Sequence, residues 1–238
     1  MAVAIGGTGL VTYAYFSLAS HSLPGADYGR LTLLWSAVFI TVSLIHRPVE
    51  QLLARSAAER ATHRSADSTH LRTAAAIQVA LAAAFAVFAL ALRGPLQDEL
   101  FGGSAALFWT MVAAVLAYAG SYFARGLLAG TGRLRLYGGL QLAESCLRTG
   151  FALAVAVGLA SGVSAVALGV AVAPAASLVA LSALVASRAL RARTFVPPPT
   201  ASDLLVRARP AESEASPAEP GLTLARGSGY AGGVLLIM

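Results

Sequence analysis

Charged residues are scarce in this chain of 238 residues, and lysine is absent from it. Only 12% of the residues are charged, about half the share typical of a soluble domain, so they cannot cover a water-soluble surface of this size. The hydrophobic share of 57% excludes a disordered chain, which needs low hydrophobicity and high net charge. The composition therefore predicts a multispanning membrane protein with the lipid bilayer as its solvent.

Few residues suit catalysis or metal binding. Cys146 is the single cysteine, so no internal disulfide can form. His46, His63 and His70 fall in or beside one loop, but a spacing of seven between the last two, with no cysteine near, does not match a metal site. No Ser-His-acid arrangement can be assembled from the apolar segments. We therefore expect no enzyme activity, no metal and no cofactor.

The basic excess comes from arginine alone: 17 arginines against 11 acidic residues give a net charge of +6. Such an excess can indicate a nucleic-acid partner, but no stretch here interleaves aromatic residues with clustered arginines. We therefore expect no nucleic acid. Basic residues also retain loops on the cytoplasmic side of a membrane, and this is the interpretation that the pattern favours.

The first half of the chain contains four candidate membrane-spanning helices, each of which needs about 20 residues to cross the hydrocarbon layer. The first is uncharged and ends at a turn-like stretch that contains Pro24 and Gly25. The second is short at fifteen residues, and the fourth is long enough to tilt. The predicted segments are 2–19, 31–45, 73–92 and 100–124.

Two further helices follow, and a turn signal at residues 161–164 decides where they lie. No charge occurs between Arg148 and Arg188, and a helix that began after Arg148 would be too short before this turn. The fifth helix must therefore begin near residues 136–139 and carry Glu144 and Arg148 into the membrane. The sixth is predicted over 164–187 and contains Pro174, which is expected to kink it.

The C-terminal part of the chain changes in character after the sixth helix. Six of the ten prolines fall between Pro197 and Pro220, which indicates a solvated linker. The final apolar run is too short to cross a bilayer, so we expect the truncated start of a seventh helix. The predicted organisation is a six-helix transmembrane lobe over 1–193, a Pro-rich cytoplasmic linker over 194–225, and the start of the seventh helix over 226–238.

The distribution of arginine predicts the orientation. With the N-terminus in the cytoplasm, the cytoplasmic segments 46–72, 125–135 and 188–226 hold fourteen arginines. The external loops hold only Arg30 and Arg93. Because positive loop residues are retained on the cytoplasmic side, this bias predicts a multi-pass protein of the cytoplasmic membrane with a cytoplasmic N-terminus.

Glu144 and Arg148 form the most informative polar pair. Their i,i+4 spacing puts them on one helix face, where they can form an ion pair. Arg148 lies about 15 Å along the fifth helix, near mid-membrane, where an ionisable residue faces a protein interior or a water-filled cavity. A cation there suits an anionic substrate such as a phosphate-bearing lipid, while the alternative is a purely structural pair. Further candidates for the same cavity are Tyr13, Tyr15, Gln78, Tyr118, Tyr122 and Gln141.

Two glycine pairs match the small-xxx-small pattern that lets membrane helices approach closely. They are Gly126 with Gly130, and Gly158 with Gly162. Both pairs predict close helix packing.

Two stretches together resemble bacterial polysaccharide flippases. The stretch Leu23-Pro-Gly-Ala-Asp-Tyr-Gly-Arg30, an apolar helix and then Arg47-Pro-Val-Glu-Gln-Leu-Leu-Ala-Arg55 are similar to that family's first hairpin, in which a Leu-Gly-Pro-x-x-Tyr-Gly turn precedes the second helix. Tyr122-Phe-Ala-Arg-Gly-Leu-Leu-Ala-Gly-Thr-Gly-Arg-Leu-Arg-Leu-Tyr137 resembles the Arg- and Gly-rich loop between its fourth and fifth helices. The family is the O-antigen and polysaccharide export branch of the multidrug/oligosaccharidyl-lipid/polysaccharide exporter superfamily.

The resemblance implies that this chain is the N-terminal six-helix lobe of a V-shaped, two-lobed transporter. Such a protein moves lipid-linked oligosaccharide to the outer leaflet by alternating access, and its partners are the bilayer, an anionic lipid-linked glycan and a missing C-terminal lobe. In the family, positive residues of the central cavity are thought to meet the lipid pyrophosphate, and Arg148 matches them by depth. The candidate substrate-binding residues are Arg148, Glu144, Tyr122 and Gln141.

Three other functions remain open. A drug or cation antiporter of the same superfamily would need intramembrane carboxylates, and Glu144 is the only acid within the predicted spans. A membrane-embedded glycosyltransferase or polymerase would need acidic or histidine clusters in a large loop, which no external loop here provides. A non-transporting scaffold of envelope assembly predicts that changes to Arg148 leave polysaccharide output intact.

Overall fold

The computed structural model describes residues 2–63 and 69–194. Its contacts group Met1–Arg191 into one compact unit. The predicted linker over 194–225 and seventh helix over 226–238 lie outside the described residues, except for residue 194 at the end of the last helix. The helices are α1 (Ala2–Ser22), α2 (Gly25–Ile45), α3 (Arg47–His63), α4 (Thr69–Ala91), α5 (Arg93–Pro95), α6 (Ala105–Gly130), α7 (Leu134–Ala156) and α8 (Val163–Thr194).

The described chain is all-helical, as predicted, and contains four helical segments long and apolar enough to cross a membrane. These segments are Gly25–Glu59, Leu71–Ala91, Ala105–Gly130 and Val163–Ala183. In an apolar 18-residue stretch of each of the first two segments, only 22% is buried inside the fold, so most of that stretch faces outward. Large exposed apolar patches are rare on soluble proteins. Helix length and outward apolar surface together indicate a membrane protein.

The second helix begins earlier than predicted, at Gly25 rather than at residue 31. Pro24 caps it with an extended backbone, and Asp27 in its first turn complements the positive end of the helix dipole. With 21 residues, α2 measures about 31 Å, so it is long enough to cross the hydrocarbon layer.

Residues 46–72 were predicted to be a solvated loop, and this prediction is wrong for most of that range. The chain bends at His46 and continues as α3, in which Val49, Leu53 and Ala57 are buried. These three residues recur every four positions and therefore form one buried apolar stripe on a helix that also carries several charged residues. A search for long apolar runs misses such a stripe because the mean hydropathy of the segment is low.

The helix α3 packs against the C-terminal half of α6, and two glycines of α6 allow the approach. The Cβ that a side chain would add at Gly126 would lie 2.9 Å from the Glu50 carbonyl oxygen, and that at Gly130 would lie 2.5 Å from the Ala57 Cβ. The first small-xxx-small pair therefore mediates close packing, as predicted. The second pair does not, because Gly158 and Gly162 adopt positive φ angles in the turn between α7 and α8.

A short connection precedes α6 and moves its start relative to the prediction. After α5 the chain forms a π-helical segment, Leu96–Leu100, and then turns at Gly102 and Gly103. Ser104 caps α6 by accepting a hydrogen bond from the Leu107 amide. The helix therefore runs from Ala105 to Gly130 rather than over 100–124, and Arg125 lies inside it instead of in a loop.

The helix α7 carries Glu144 and Arg148 near its middle, and α1 packs along it. The hydroxyl group of Thr149 donates a 3.1 Å hydrogen bond to the Val11 carbonyl oxygen of α1. The helix α8 begins at Val163, after the turn that the sequence predicted, and contains Pro174. The arrangement brings α1, α2, α6 and α7 around one cavity.

Candidate functional site

A cavity of about 410 Å³ lies among α1, α2, α6 and α7. All four residues predicted to bind substrate, Arg148, Glu144, Tyr122 and Gln141, line it. Its other lining residues are Thr8, Gly9, Thr12, Trp35, Val38, Phe39, Val42, Tyr118, Arg125 and Ser145.

The guanidinium group of Arg148 is held at the cavity wall by hydroxyl groups from three helices. It donates hydrogen bonds to Thr12 Oγ1 on α1 at 3.2 Å, to Tyr118 Oη on α6 at 3.4 Å and to Ser145 Oγ on α7 at 3.4 Å. The residue is only 3% exposed, and its Nε has no partner in the protein. Every acceptor that contacts it is uncharged, so its positive charge is not neutralised by these contacts.

Aromatic rings cover the same guanidinium group. The Arg148 Cζ lies 4.2 Å from the centroid of the Trp35 ring and 5.5 Å from that of Tyr15. Cation–π attraction at these distances stabilises a buried cation without neutralising it. Tyr15 is fully buried and does not line the cavity, so its ring contacts the guanidinium group from within the protein.

Glu144 pairs with Arg125, and the predicted pairing of Glu144 with Arg148 is wrong. Its carboxylate accepts an ion-paired hydrogen bond from Arg125 Nη2 and further bonds from Ser121 Oγ and, at 3.3 Å, from Ser177 Oγ. The i,i+4 spacing puts Glu144 and Arg148 on one face, but α6 and α8 offer three donors at the position of the carboxylate. A buried carboxylate needs such donors, because it is costly to bury unpaired.

Arg125 is a cavity-lining charged residue that sequence analysis missed. It was assigned to a cytoplasmic loop, whereas in the structure it is 7% exposed, and its Cζ lies 4.9 Å from the centroid of the Tyr122 ring. The available signal was the absence of proline between the apolar fourth segment and Gly130. The side chain reaches into the cavity from one turn before the end of α6.

The charged groups that line the cavity do not balance. Arg125 and Arg148 contribute two positive charges and Glu144 contributes one negative charge, so the lining carries a net charge of +1. The pairing of Arg125 with Glu144 leaves this excess charge on Arg148. An anionic group of a ligand would therefore find one unpaired guanidinium group and several hydroxyl donors.

The site lies near the middle of the helices that form it. At a rise of 1.5 Å per residue, Thr12 is about 15 Å along α1, Tyr118 about 20 Å along α6 and Arg148 about 21 Å along α7. The wall from α2 is apolar, with Val38, Phe39 and Val42 facing the cavity. One side of the cavity is therefore cationic and aromatic, and the other side is apolar.

The lower-ranked candidates from the sequence fall in different places. Tyr118 lines the cavity, whereas Tyr13 is 75% exposed on the outside of α1. Gln78 is buried in a separate network with His46. His46 was predicted to belong to a solvated loop and is instead fully buried, because its ring packs against α6.

Comparison with known proteins finds no similar protein. Neither family models nor curated proteins nor solved structures match this chain. Within the described ranges, 2–63 and 69–194, no group of His, Cys, Asp and Glu residues is arranged to hold a metal ion.

Proposed function

We propose that this chain is a lobe of a membrane flippase that takes part in the export of lipid-linked polysaccharide or oligosaccharide across the bacterial cytoplasmic membrane. The single observation that carries the proposal is Arg148, a buried cation whose partners in the protein are all neutral. A charge at the centre of a helical membrane lobe is costly, and such residues usually mark substrate pathways.

The shape and chemistry of the cavity support an amphiphilic anion as substrate. Arg148 and the surrounding hydroxyl groups suit a phosphate or pyrophosphate, for which arginine offers a planar array of donors. Trp35, Tyr118 and Tyr122 suit sugar rings, and the α2 wall of Val38 and Phe39 suits a lipid chain. A substrate that joins a lipid, a phosphate and a sugar matches all three surfaces.

The surroundings of Glu144 favour this proposal over a cation antiporter. A coupling carboxylate must be open to an incoming cation, but Glu144 is 2% exposed and already accepts from Arg125, Ser121 and Ser177. By the resemblance in the sequence, the proposed partners are an anionic lipid-linked glycan and a C-terminal lobe that completes the transport path.

Substitution of Arg148 tests the proposed function. In cells whose surface polysaccharide depends on the full protein, Arg148→Ala is expected to abolish surface polysaccharide, because it removes the only unpaired cation among the described residues that line the cavity. The lipid-linked precursor should accumulate on the cytoplasmic side. Surface glycan is measured by lectin or antibody binding and precursor by extraction, at matched expression.

Two further variants control the experiment. Arg148→Lys keeps the charge but loses the planar donor array, so partial export is expected. Arg93→Ala removes an exposed arginine in the connection between α4 and α6, outside the cavity lining, and should leave export unchanged. Normal export by Arg148→Ala at wild-type expression would contradict the proposal and favour a scaffold.

Cysteine labelling tests the proposed orientation. In a Cys146→Ser background, a charged maleimide should reach Arg60→Cys only from the cytoplasm and Gln97→Cys only from outside. The reason is that thirteen of the seventeen arginines belong to the segments expected on the cytoplasmic side, which include residue 60, once Arg125 is counted inside α6. Intact cells and permeabilised cells give the two readings, and the reverse pattern would place the N-terminus outside.

A further inference from the structure

A buried polar network joins the bend between α2 and α3 to α4 and α6, on the other side of α6 from Glu144. The ring of His46 contacts the Val115 carbonyl oxygen through Nε2 at 3.1 Å. Gln78 Nε2 lies 3.0 Å from His46 Nδ1 and 2.8 Å from the Ala119 carbonyl oxygen. His46 is fully buried and Gln78 is 5% exposed.

The acceptors in this network fix the protonation state of His46. A carbonyl oxygen can only accept, so the Gln78 atom beside Ala119 must be the amide nitrogen. That nitrogen also donates to His46 Nδ1, which must therefore be unprotonated. The proton of the neutral ring then lies on Nε2, where it donates to the Val115 carbonyl oxygen. The observed arrangement is thus the hydrogen-bonding pattern of neutral histidine.

Adding a proton to His46 is incompatible with these contacts. The imidazolium ion has two N–H donors, so the protonated Nδ1 would face the donating amide group of Gln78. Rotation of the amide group would put its oxygen against Nδ1, but that oxygen would then face the Ala119 carbonyl oxygen. Without rotation, the hydrogen bond from Gln78 to His46 is lost. With rotation, Gln78 accepts a charge-assisted hydrogen bond from the imidazolium ion, and the bond that ties α4 to Ala119 of α6 is lost.

The packing around the network leaves α4 room to move. A groove of about 500 Å³ lies between α4 and α6, and Gln78 and Ala119 form part of its wall. The other residues that line it are Ala75, Val79, Ala82, Ala83, Leu116, Gly120 and Phe123. Small side chains line this groove, and the Gln78 hydrogen bond is the polar contact that joins α4 to α6 here, whereas Phe85 and Ala89 of α4 pack into the core farther along the helix. The Gln78 Oε1 atom has no partner in the protein.

Other ionisable groups near His46 are already engaged or point elsewhere. From α6, the Tyr122 ring lies 6.3 Å from the His46 ring, and Arg125 is paired with Glu144. From α3, Arg47 is exposed, and Glu50 accepts a 3.0 Å hydrogen bond from Tyr137. From α4, the contact is the uncharged Gln78. His46 is therefore the group in this network that can gain or lose a proton.

We propose that His46 is a proton-binding site and that its protonation releases α4 from α6. The neutral ring holds the closed arrangement seen here, and the charged ring opens the seam at Ala119. This inference does not depend on the proposed export function. The separation of α4 from α6 is measured by spectroscopy, whatever the protein transports. Val42 and Tyr122 lie beside the network and also line the cavity, so opening is transmitted to the site.

Two measurements on the full protein in lipid nanodiscs test the proposal between about pH 8 and 5, the range in which histidine titrates. The ¹⁵N spectrum of labelled histidine should show His46 as the neutral Nε2–H form at high pH and as imidazolium at low pH. Electron paramagnetic resonance should show a second, longer distance appearing over the same range between labels at Leu10 of α1 and Ala80 of α4. Both labels are introduced in a Cys146→Ser background.

Three variants separate the proton site from general pH effects. His46→Asn can place a permanent neutral acceptor near the position of Nδ1, so the short distance should persist at low pH. Gln78→Leu removes the link and should show the long distance at every pH. His21→Asn changes an exposed histidine and should behave as the wild type. The proposal is overturned if His46 is an Nδ1–H or charged ring throughout, or if His46→Asn opens with acid as the wild type does.

Discussion

Replacing Glu144 by alanine is expected to lower the free energy of unfolding by about 3–5 kcal/mol, the range for breaking a buried ion pair by removing one partner. The reason is local, because Arg125 would keep its charge in a buried site with no carboxylate beside it. Ser121 and Ser177 would lose an acceptor as well. Unfolding is measured in bilayers or mixed micelles by titration with a denaturing detergent.

A double variant distinguishes the buried charge from lost packing. Arg125→Met with Glu144→Met replaces the whole pair by apolar side chains and should recover most of the loss, because apolar replacement of a buried pair is often neutral or stabilising. The other described ion pair is the control. Asp27 and Arg30 are partly exposed, so Asp27→Ala should cost at most about 1 kcal/mol. Equal losses for Glu144→Ala and Asp27→Ala would contradict the role of burial.

Substitution of Gly130 by alanine is expected to destabilise the protein by about 1–3 kcal/mol or more, the usual cost of overpacking. The new Cβ would lie 2.5 Å from the Ala57 Cβ and 3.0 Å from the Ala54 Cα, so α3 and α6 would have to separate. Backbone atoms cannot rotate away from such a clash. The loss is measured as a change in the free energy of unfolding under the same conditions.

Gly139 on α7 is the matched control for this substitution. A Cβ built at Gly139 meets nothing within 4 Å, so Gly139→Ala introduces no clash. Alanine is favoured over glycine in a helix by about 0.5–1 kcal/mol, so this variant should be slightly more stable than the wild type. The two changes are chemically identical and are expected to have opposite signs. If both variants were stabilised, α3 and α6 would not be in the close contact described.

Local features of the sequence predicted the parts of the fold that depend on chain length and charge. The charge-free stretch after Arg148 and the turn near Gly162 placed Glu144 and Arg148 inside α7, because too few residues remained for any other division. The depth of these residues follows from helix rise alone. All four predicted site residues line the same cavity, three of them from α7 and Tyr122 from α6.

Features that depend on contacts between distant helices could not be predicted in this way. The i,i+4 rule gave Glu144 a partner on its own helix, whereas the structure supplies Arg125 from α6, nineteen residues away. The helix α3 was missed because charged residues interrupt its buried Val49, Leu53 and Ala57 stripe, so the segment contains no long apolar run. His46 was missed for a related reason, since its acceptor at Val115 is 69 residues distant.

The pairing of α1 with α7 has a consequence for biosynthesis. Val11 and Thr149 are joined by a hydrogen bond across 138 residues. At about 5–20 residues per second, translation takes roughly 7–28 s to cover this separation, and α1 is without its main neighbour during that time. An uncharged helix such as α1 tolerates that interval. The helix α7 leaves the ribosome only after Thr12, Tyr118, Ser121 and Arg125 have been synthesised. Its two buried charges, Glu144 and Arg148, therefore enter the bilayer with nearly all of their partners already made.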